Sequence, residues 1–143
     1  MTGMKPMPDK VFIDTNILIY AYSVDEPEKQ AIVSRIRSDH RESAIISIQV
    51  LSEISNTLFK KFKKTALDVE NVVLELTRSF RVVDFTIDTQ LMAIRLKDQY
   101  CLQFYDALIL ATALENDCST VISEDMQNGL VIQNQLTIRN PFN

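Results

Sequence analysis

Four carboxylates stand where their surroundings let them do chemistry. Asp14 ends the apolar run Val11-Phe12-Ile13, and Glu53 follows Val50-Leu51-Ser52. Asp106 follows Phe104-Tyr105 at the head of a strongly apolar segment, and Asp125 closes Ser123-Glu124-Asp125. No His, Lys or Arg occurs in any of these local motifs. Two like charges about 4 Å apart repel by roughly 4 kcal/mol at an effective dielectric of about 20. Acids brought together in a half-buried cleft therefore need a compensating charge, and a divalent cation supplies it. All-oxygen donors select Mg²⁺ or Mn²⁺ over zinc or copper. Such ions activate water and neutralise charge on phosphoryl oxygens. The chemistry indicated is metal-assisted attack on a phosphate.

For these acids to meet, the elements carrying them must end at one edge of a sheet. Val11–Ile13 is short, apolar and terminated by Asp14, so it reads as a first strand, with a short helix over 17–23 after it. Asp25-Glu26-Pro27-Glu28 combines capping-box spacing with an early Pro and starts a second helix, which runs to about His40. Ala44-Ile45-Ile46-Ser47 is a second strand. A third helix from about Ile48 to Phe62 has Leu51, Ile54, Leu58 and Phe62 on its apolar face, and Gln49, Glu53 and Asn56 in a polar stripe beside it.

Thr65 to Asp68 starts a fourth helix with Val69, Val72, Val73, Leu76 and Phe80 inward. Arg81–Phe85 is a strand, and 86–100 a helix with Ile87, Leu91 and Ile94 inward. Residues 104–116 leave almost no polar face, so that helix is central and buried. Thr120–Ser123 is a fourth strand, and 130–138 holds one or two weaker ones.

Strands alternating with helices predict an α/β three-layer sandwich, a mainly parallel sheet of about four to five strands with helices on both faces. In such sheets ligands bind beyond the carboxyl ends of the strands. Asp14, Glu53 and Asp125 fall there, and Asp106 joins them if its helix returns towards the start of the fourth strand.

Composition narrows the classes. A length of 143 residues predicts one domain spanning 1–143, with Met1 to Lys10 as a flexible arm rather than a signal peptide. No apolar run reaches the roughly 20 residues that span a bilayer. Cys101 and Cys118 fit neither a disulfide framework nor a zinc spacing, which suits a cytoplasmic protein with reduced thiols. His40 is the single histidine, which disfavours a His-rich metal site and a Ser-His-Asp triad. Glycine occurs only at 3 and 129, which excludes a P-loop and a dinucleotide fingerprint.

A net charge of -4 argues mildly against a dedicated nucleic-acid binder, yet it says little when several acids share one site. Lys60, Lys61, Lys63 and Lys64 form one basic cluster and Arg35, Arg37 and Arg41 another. Their default reading is a solvated face, and the alternative is a rim that contacts phosphates. Singly, the acids also have ordinary readings. Asp106 suits a dipole-favoured first turn, Glu53 an exposed helix position, and Asp125 a turn.

In order along the chain, Phe12-Ile13-Asp14-Thr15-Asn16, Val50-Leu51-Ser52-Glu53, Tyr105-Asp106-Ala107-Leu108-Ile109 and Ser123-Glu124-Asp125 resemble the PIN domain. Within that family the likeness is closest to the VapC-type toxin ribonucleases of bacterial and archaeal toxin–antitoxin pairs. It extends over nearly the whole chain, to the terminal Asn140-Pro141-Phe142.

The resemblance implies a Mg²⁺- or Mn²⁺-dependent endoribonuclease that leaves a 3′-hydroxyl and a 5′-phosphate on RNA. It also implies a small antitoxin that blocks the site, and a homodimer, for which exposed apolar positions on the early helices could serve. Carried over by position, Asp14 and Asp106 are metal ligands, Glu53 a ligand directly or through water, and Asp125 the fourth acid. Asn16 and Ser123 are similar to residues that orient the acids. Glu124 competes with Asp125 for the fourth place, and the Ser-x-Asp spacing favours Asp125.

Other readings stay open. An aspartyl-phosphate phosphatase would use Asp14 as nucleophile, but it needs an acid at position 16, where Asn stands, and a suitably placed Lys. A receiver-like phosphoacceptor domain lacks the same partners. A non-catalytic PIN-like module that binds RNA or protein would have no use for four mutually repelling acids.

Overall fold

Val11–Ile13 lies near the middle of a six-stranded sheet with strand order β3-β2-β1-β4-β6-β5. The computed structural model describes residues 9–143. Strand β1 is Lys10–Ile13, β2 Ala44–Ser47, β3 Arg81–Val83, β4 Cys118–Ile122, β5 Val131–Ile132 and β6 Leu136–Arg139. All neighbours pair in parallel except β5 with β6. The central strands are buried on both faces, with Phe12, Ile13, Ile46, Val121 and Ile122 fully inaccessible. That explains why they read as unbroken apolar runs without alternation.

Among the described residues six α-helices flank the sheet: α1 Thr15–Leu18, α2 Pro27–Asp39, α3 Ile48–Lys60, α4 Ala66–Ser79, α5 Ile87–Tyr100 and α6 Phe104–Glu115. Ser47 caps α3, its hydroxyl accepting from the Val50 N–H at 3.2 Å. A Thr65/Asp68 capping box starts α4. Seven consecutive residues of α6, Ala107 to Ala113, are buried. This is the central helix that its apolar composition predicts, and the α/β architecture expected from the sequence is the one observed.

Several local expectations need correction. Lys10 belongs to β1 and not to an arm, and residues 1–8 of that predicted arm lie outside the described residues. The helix expected over 17–23 is one turn of α1 from Thr15 followed by a 3₁₀ turn, Ile19–Tyr22. Pro27 does open α2, but Glu26 is the N-cap residue and makes no side-chain cap, so the Asp25–Glu28 box does not form. The third strand ends at Val83, and the fourth runs from Cys118.

The sheet has six strands rather than four or five, because residues 130–139 fold back as a tight hairpin. Gln133 and Asn134 both adopt φ of 54° there, the left-handed pair that such turns require.

The inward face of α5 is also different. Ile87, Leu91 and Ile94 are 80%, 46% and 52% exposed, and the helix buries Thr89, Ala93 and Leu96 instead. Small residues at Thr89 and Ala93 let α5 lie close along α6, and the Thr89 hydroxyl donates to Glu115 across that seam at 2.9 Å. A helix with two apolar stripes cannot reveal by periodicity alone which one the core takes.

Candidate active site at the carboxyl edge of the sheet

Parallel pairing brings the ends of β1, β2 and β4 to one edge. Asp14 follows β1 directly, and Glu53 lies in the second turn of the helix that leaves β2. Asp125 lies three residues beyond β4, and α6 runs back towards the start of β4, which leaves Asp106 at the same edge. All four acids line one cavity of about 680 Å³, together with Thr15, Asn16, Gln49, Thr57 and Gln103. No Lys, Arg or His lines it among the described residues.

Asp14 is the innermost acid, 6% exposed. One carboxylate oxygen accepts from the Thr15 N–H at 2.8 Å. The other accepts from the Ser123 hydroxyl at 2.9 Å and from Asn16 Nδ2 at 3.2 Å. Burial pushes its carboxyl from the ordinary 3.8 to about 6, with Glu53 and Asp106 adding repulsion and the Ser123 and Thr15 donors pulling back. Partial burial likewise raises Glu53, helped by Asp106 and opposed by Gln49 and the Thr15 hydroxyl, and raises Asp106, which also feels Asp125.

Asn16 links the end of β1 to the loop after β4. Its Nδ2 lies 3.2 Å from Asp14, 3.3 Å from the Ser123 hydroxyl and 3.2 Å from Asp125, and its Oδ1 accepts from the Glu124 N–H at 3.0 Å. Two amide hydrogens shared among three oxygens soften the repulsion but carry no net charge.

The adjacent acids Glu124 and Asp125 face different ways. Asp125 faces the cavity, whereas Glu124 turns to the other side, where Lys29 Nζ and the Tyr20 hydroxyl donate to it at 2.6 Å each. Burial works to raise Glu124, but those two donors outweigh it and hold the carboxyl below its usual range.

Gln49 and Thr15 join the site without having been singled out for it. Gln49 Nε2 donates to Glu53 at 2.8 Å and to the Tyr105 carbonyl at 3.3 Å, tying α3 to the first turn of α6. Its position four residues before Glu53, on the same helix face, was the available signal. The Thr15 hydroxyl is buried beside Asp14 and makes no hydrogen bond of normal geometry, although it lies near enough to Glu53 to hold that carboxyl down. Such a placement has no sequence signature.

Four carboxylates as oxygen donors, and no facing cation among the described residues, suit a hard divalent ion in kind. As the side chains stand, no three His, Cys, Asp or Glu among the described residues are gathered closely enough to hold one ion. Closing around a metal therefore takes rotation of the outer carboxylates, Glu53, Asp106 and Asp125.

Residues 11–127 match the family model of the PIN domain. No curated protein matches the sequence. Among solved structures, a toxin–antitoxin complex from Klebsiella pneumoniae superposes with a TM-score of 0.72 at 20% identity, over 92% of this chain and 98% of that one. The DNA-bound VapBC of Salmonella typhimurium gives 0.70 at 17% identity, over 92% and 98%. VapC20 of Mycobacterium tuberculosis, a toxin that cleaves the sarcin-ricin loop, gives 0.67 at 17% identity, over 81% and 92%. At these identities the likeness is one of fold.

Proposed function

The chain is a member of the PIN-domain family, and from that premise we propose that it is a metal-dependent endoribonuclease, the toxin of a toxin–antitoxin pair. The observation that carries this reading is the cavity at the strand ends, lined by four carboxylates from four separate segments and faced by no basic side chain among the described residues. An acid as deeply buried as Asp14, with its carboxyl pushed up to about 6, is costly to the fold. Such costs cluster at functional sites.

Asp14, Glu53, Asp106 and Asp125 would hold Mg²⁺ or Mn²⁺. When bound, the ion would lower the pKa of water and neutralise phosphate charge. The chain's own contribution is positioning. The Thr15 N–H, Ser123 and Asn16 fix Asp14, while Gln49 holds Glu53 towards α6. Thr57 lies one turn after Glu53 on the cavity wall, and Lys60 and Lys61 one turn further along α3. That row offers a phosphate backbone a path from the acids to the basic cluster.

A small antitoxin that covers the cavity is the expected partner, in keeping with neighbours that are toxin–antitoxin complexes. The homodimer expected from the resemblance has a candidate face in the exposed α5 stripe of Ile87, Leu91 and Ile94. Among the described residues no helix is long and apolar enough to cross a membrane, and a cellular RNA substrate would suit a cytoplasmic protein. The phosphatase alternative loses support, since Asp14 is tied up by three donors and no lysine lines the cavity among the described residues.

The direct test is cleavage of a labelled structured RNA by the purified protein. Cleavage with Mg²⁺ or Mn²⁺ is expected to vanish with excess chelator and to fall at least about a hundredfold in Asp106→Asn, by analogy with the loss of a group that stabilises transition-state charge. Undiminished cutting in chelator would end the metal reading. Failure to cut any RNA while binding it tightly would favour the non-catalytic module.

A further inference from the structure

The terminal Asn140-Pro141-Phe142 takes no part in the site described above, yet the structure ties it to the segment carrying Asp125. Asn140 Nδ2 donates to the Glu124 carbonyl at 3.4 Å, and the Asn140 N–H donates to Asn128 Oδ1 at 2.9 Å, across the loop that follows β4. The Phe142 N–H donates back to Asn140 Oδ1 at 3.0 Å, which sets the turn through Pro141. The Phe142 ring meets Tyr20 edge-on, with centroids 5.4 Å apart. Lys29 Nζ lies 4.9 Å from the Tyr20 ring centroid and 5.1 Å from that of Phe142.

Lys29 also donates to Glu124 at 2.6 Å and to the Tyr20 hydroxyl at 3.2 Å, and that hydroxyl donates to Glu124 at 2.6 Å. Glu124 is thus held at every polar group it has. Asn16 takes its N–H, Asn140 reaches its carbonyl, and Lys29 and Tyr20 share its carboxylate. Asp125, the next residue, is exposed and has one hydrogen bond, from Asn16. An exposed carboxylate so thinly held takes its place from the backbone of its neighbour.

We propose that Lys29, Tyr20, Glu124 and Phe142 form a latch that positions Asp125 for the metal, so that the C-terminal segment sets the affinity of the site without touching it. Glu124 is a positioning residue and Asp125 the acid it positions. A cation with aromatic faces on two sides and a carboxylate in front is anchored from several directions, unlike an isolated surface pair. The inference rests on the reading of the site as a metal site.

The test is Mn²⁺ titration of the purified protein by calorimetry, with no RNA present, alongside a thermal melt. Partners that orient metal ligands typically contribute about tenfold or more in affinity. Lys29→Met, Glu124→Gln and Phe142→Ala are each expected to weaken Mn²⁺ binding by about that factor. In an Asp125→Asn background, Lys29→Met should add no further loss, because the residue being positioned has gone.

A latch that merely stabilises the fold would lower the melting temperature and leave Mn²⁺ affinity unchanged well below it, and that result overturns the proposal. So does a Lys29→Met effect of equal size with and without Asp125. Asp14→Asn is the reference arm. If it also leaves Mn²⁺ binding untouched, the metal reading fails and the latch with it. If Asp14→Asn abolishes binding while the latch variants bind normally, the latch alone fails.

Discussion

Asp14→Asn should make the metal-free protein more stable, and by an amount that depends on pH. The carboxyl has an ordinary value of 3.8 and is pushed to about 6 in the folded chain, chiefly by burial. Below 3.8 it is protonated in both states, and burial costs no charge. Between 3.8 and about 6 the unfolded chain gives up its proton while the native chain keeps it, so native stability falls as pH rises. Above about 6 both states are ionised and the penalty is complete, about 3 kcal/mol for a displacement of this size.

Replacement by Asn removes that penalty. The Thr15 N–H keeps its acceptor, since the side-chain oxygen of Asn can stay 2.8 Å away. The second oxygen becomes an NH₂ group facing Ser123 and Asn16. The Ser123 hydroxyl can rotate to accept, but Asn16 loses one acceptor, at a cost of about 1 kcal/mol. The net expectation is a gain of about 2 kcal/mol at about pH 8 that falls with pH and turns into a loss of up to about 1 kcal/mol by about pH 4.

Urea unfolding of both proteins at several pH values in chelator measures this, because the difference between them cancels every titrating group that Asp14 does not touch and leaves Asp14 with its smaller coupling to Glu53 and Asp106. With Mn²⁺ added the order should reverse, since only the wild type gains binding energy. A variant no more stable than wild type at about pH 8, or one whose gain does not change with pH, refutes the account of Asp14 as a buried, uncompensated charge.

Two further outcomes test the surfaces around the site. Lys60→Ala with Lys61→Ala should weaken binding of single-stranded RNA and flatten its salt dependence by about 0.7 for each phosphate no longer neutralised, read from affinity against log salt in an Asp106→Asn background in chelator, where cleavage is expected to be suppressed. An unchanged slope would return these lysines to a solvated face. Ile87→Asp with Ile94→Asp on α5 should leave the melting temperature near wild type, because both side chains are already more than half exposed. If that stripe pairs two copies, sedimentation should show self-association weakened at least about a hundredfold, given about 1.5 kcal/mol or more for each buried Ile. An unaltered oligomeric state places any interface elsewhere.

What the sequence revealed and what it hid divide along the range of the interactions. The sheet was legible because its central strands are apolar on both faces, and α6 because Ala107 to Ala113 leave no polar side. Asp14 was legible for the same reason, a charge set directly against Val11-Phe12-Ile13. The inward stripe of α5 was not, because Ile87-Leu91-Ile94 and Ala93-Leu96 both have helical spacing, and close packing on α6 favoured the smaller residues.

The fourth acid shows the limit most sharply. Glu124 and Asp125 differ little in chemistry and not at all in local context, so spacing could only lean towards one. What separates them in the fold is Lys29 and Tyr20, 95 and 104 residues away in sequence, which hydrogen-bond Glu124 on the side away from the cavity. The two acids lie in the bend that follows β4, and their side chains leave it on opposite sides. Once Glu124 is held against α2, Asp125 is turned towards the cavity, and a lysine outside that cavity decides which carboxylate faces it.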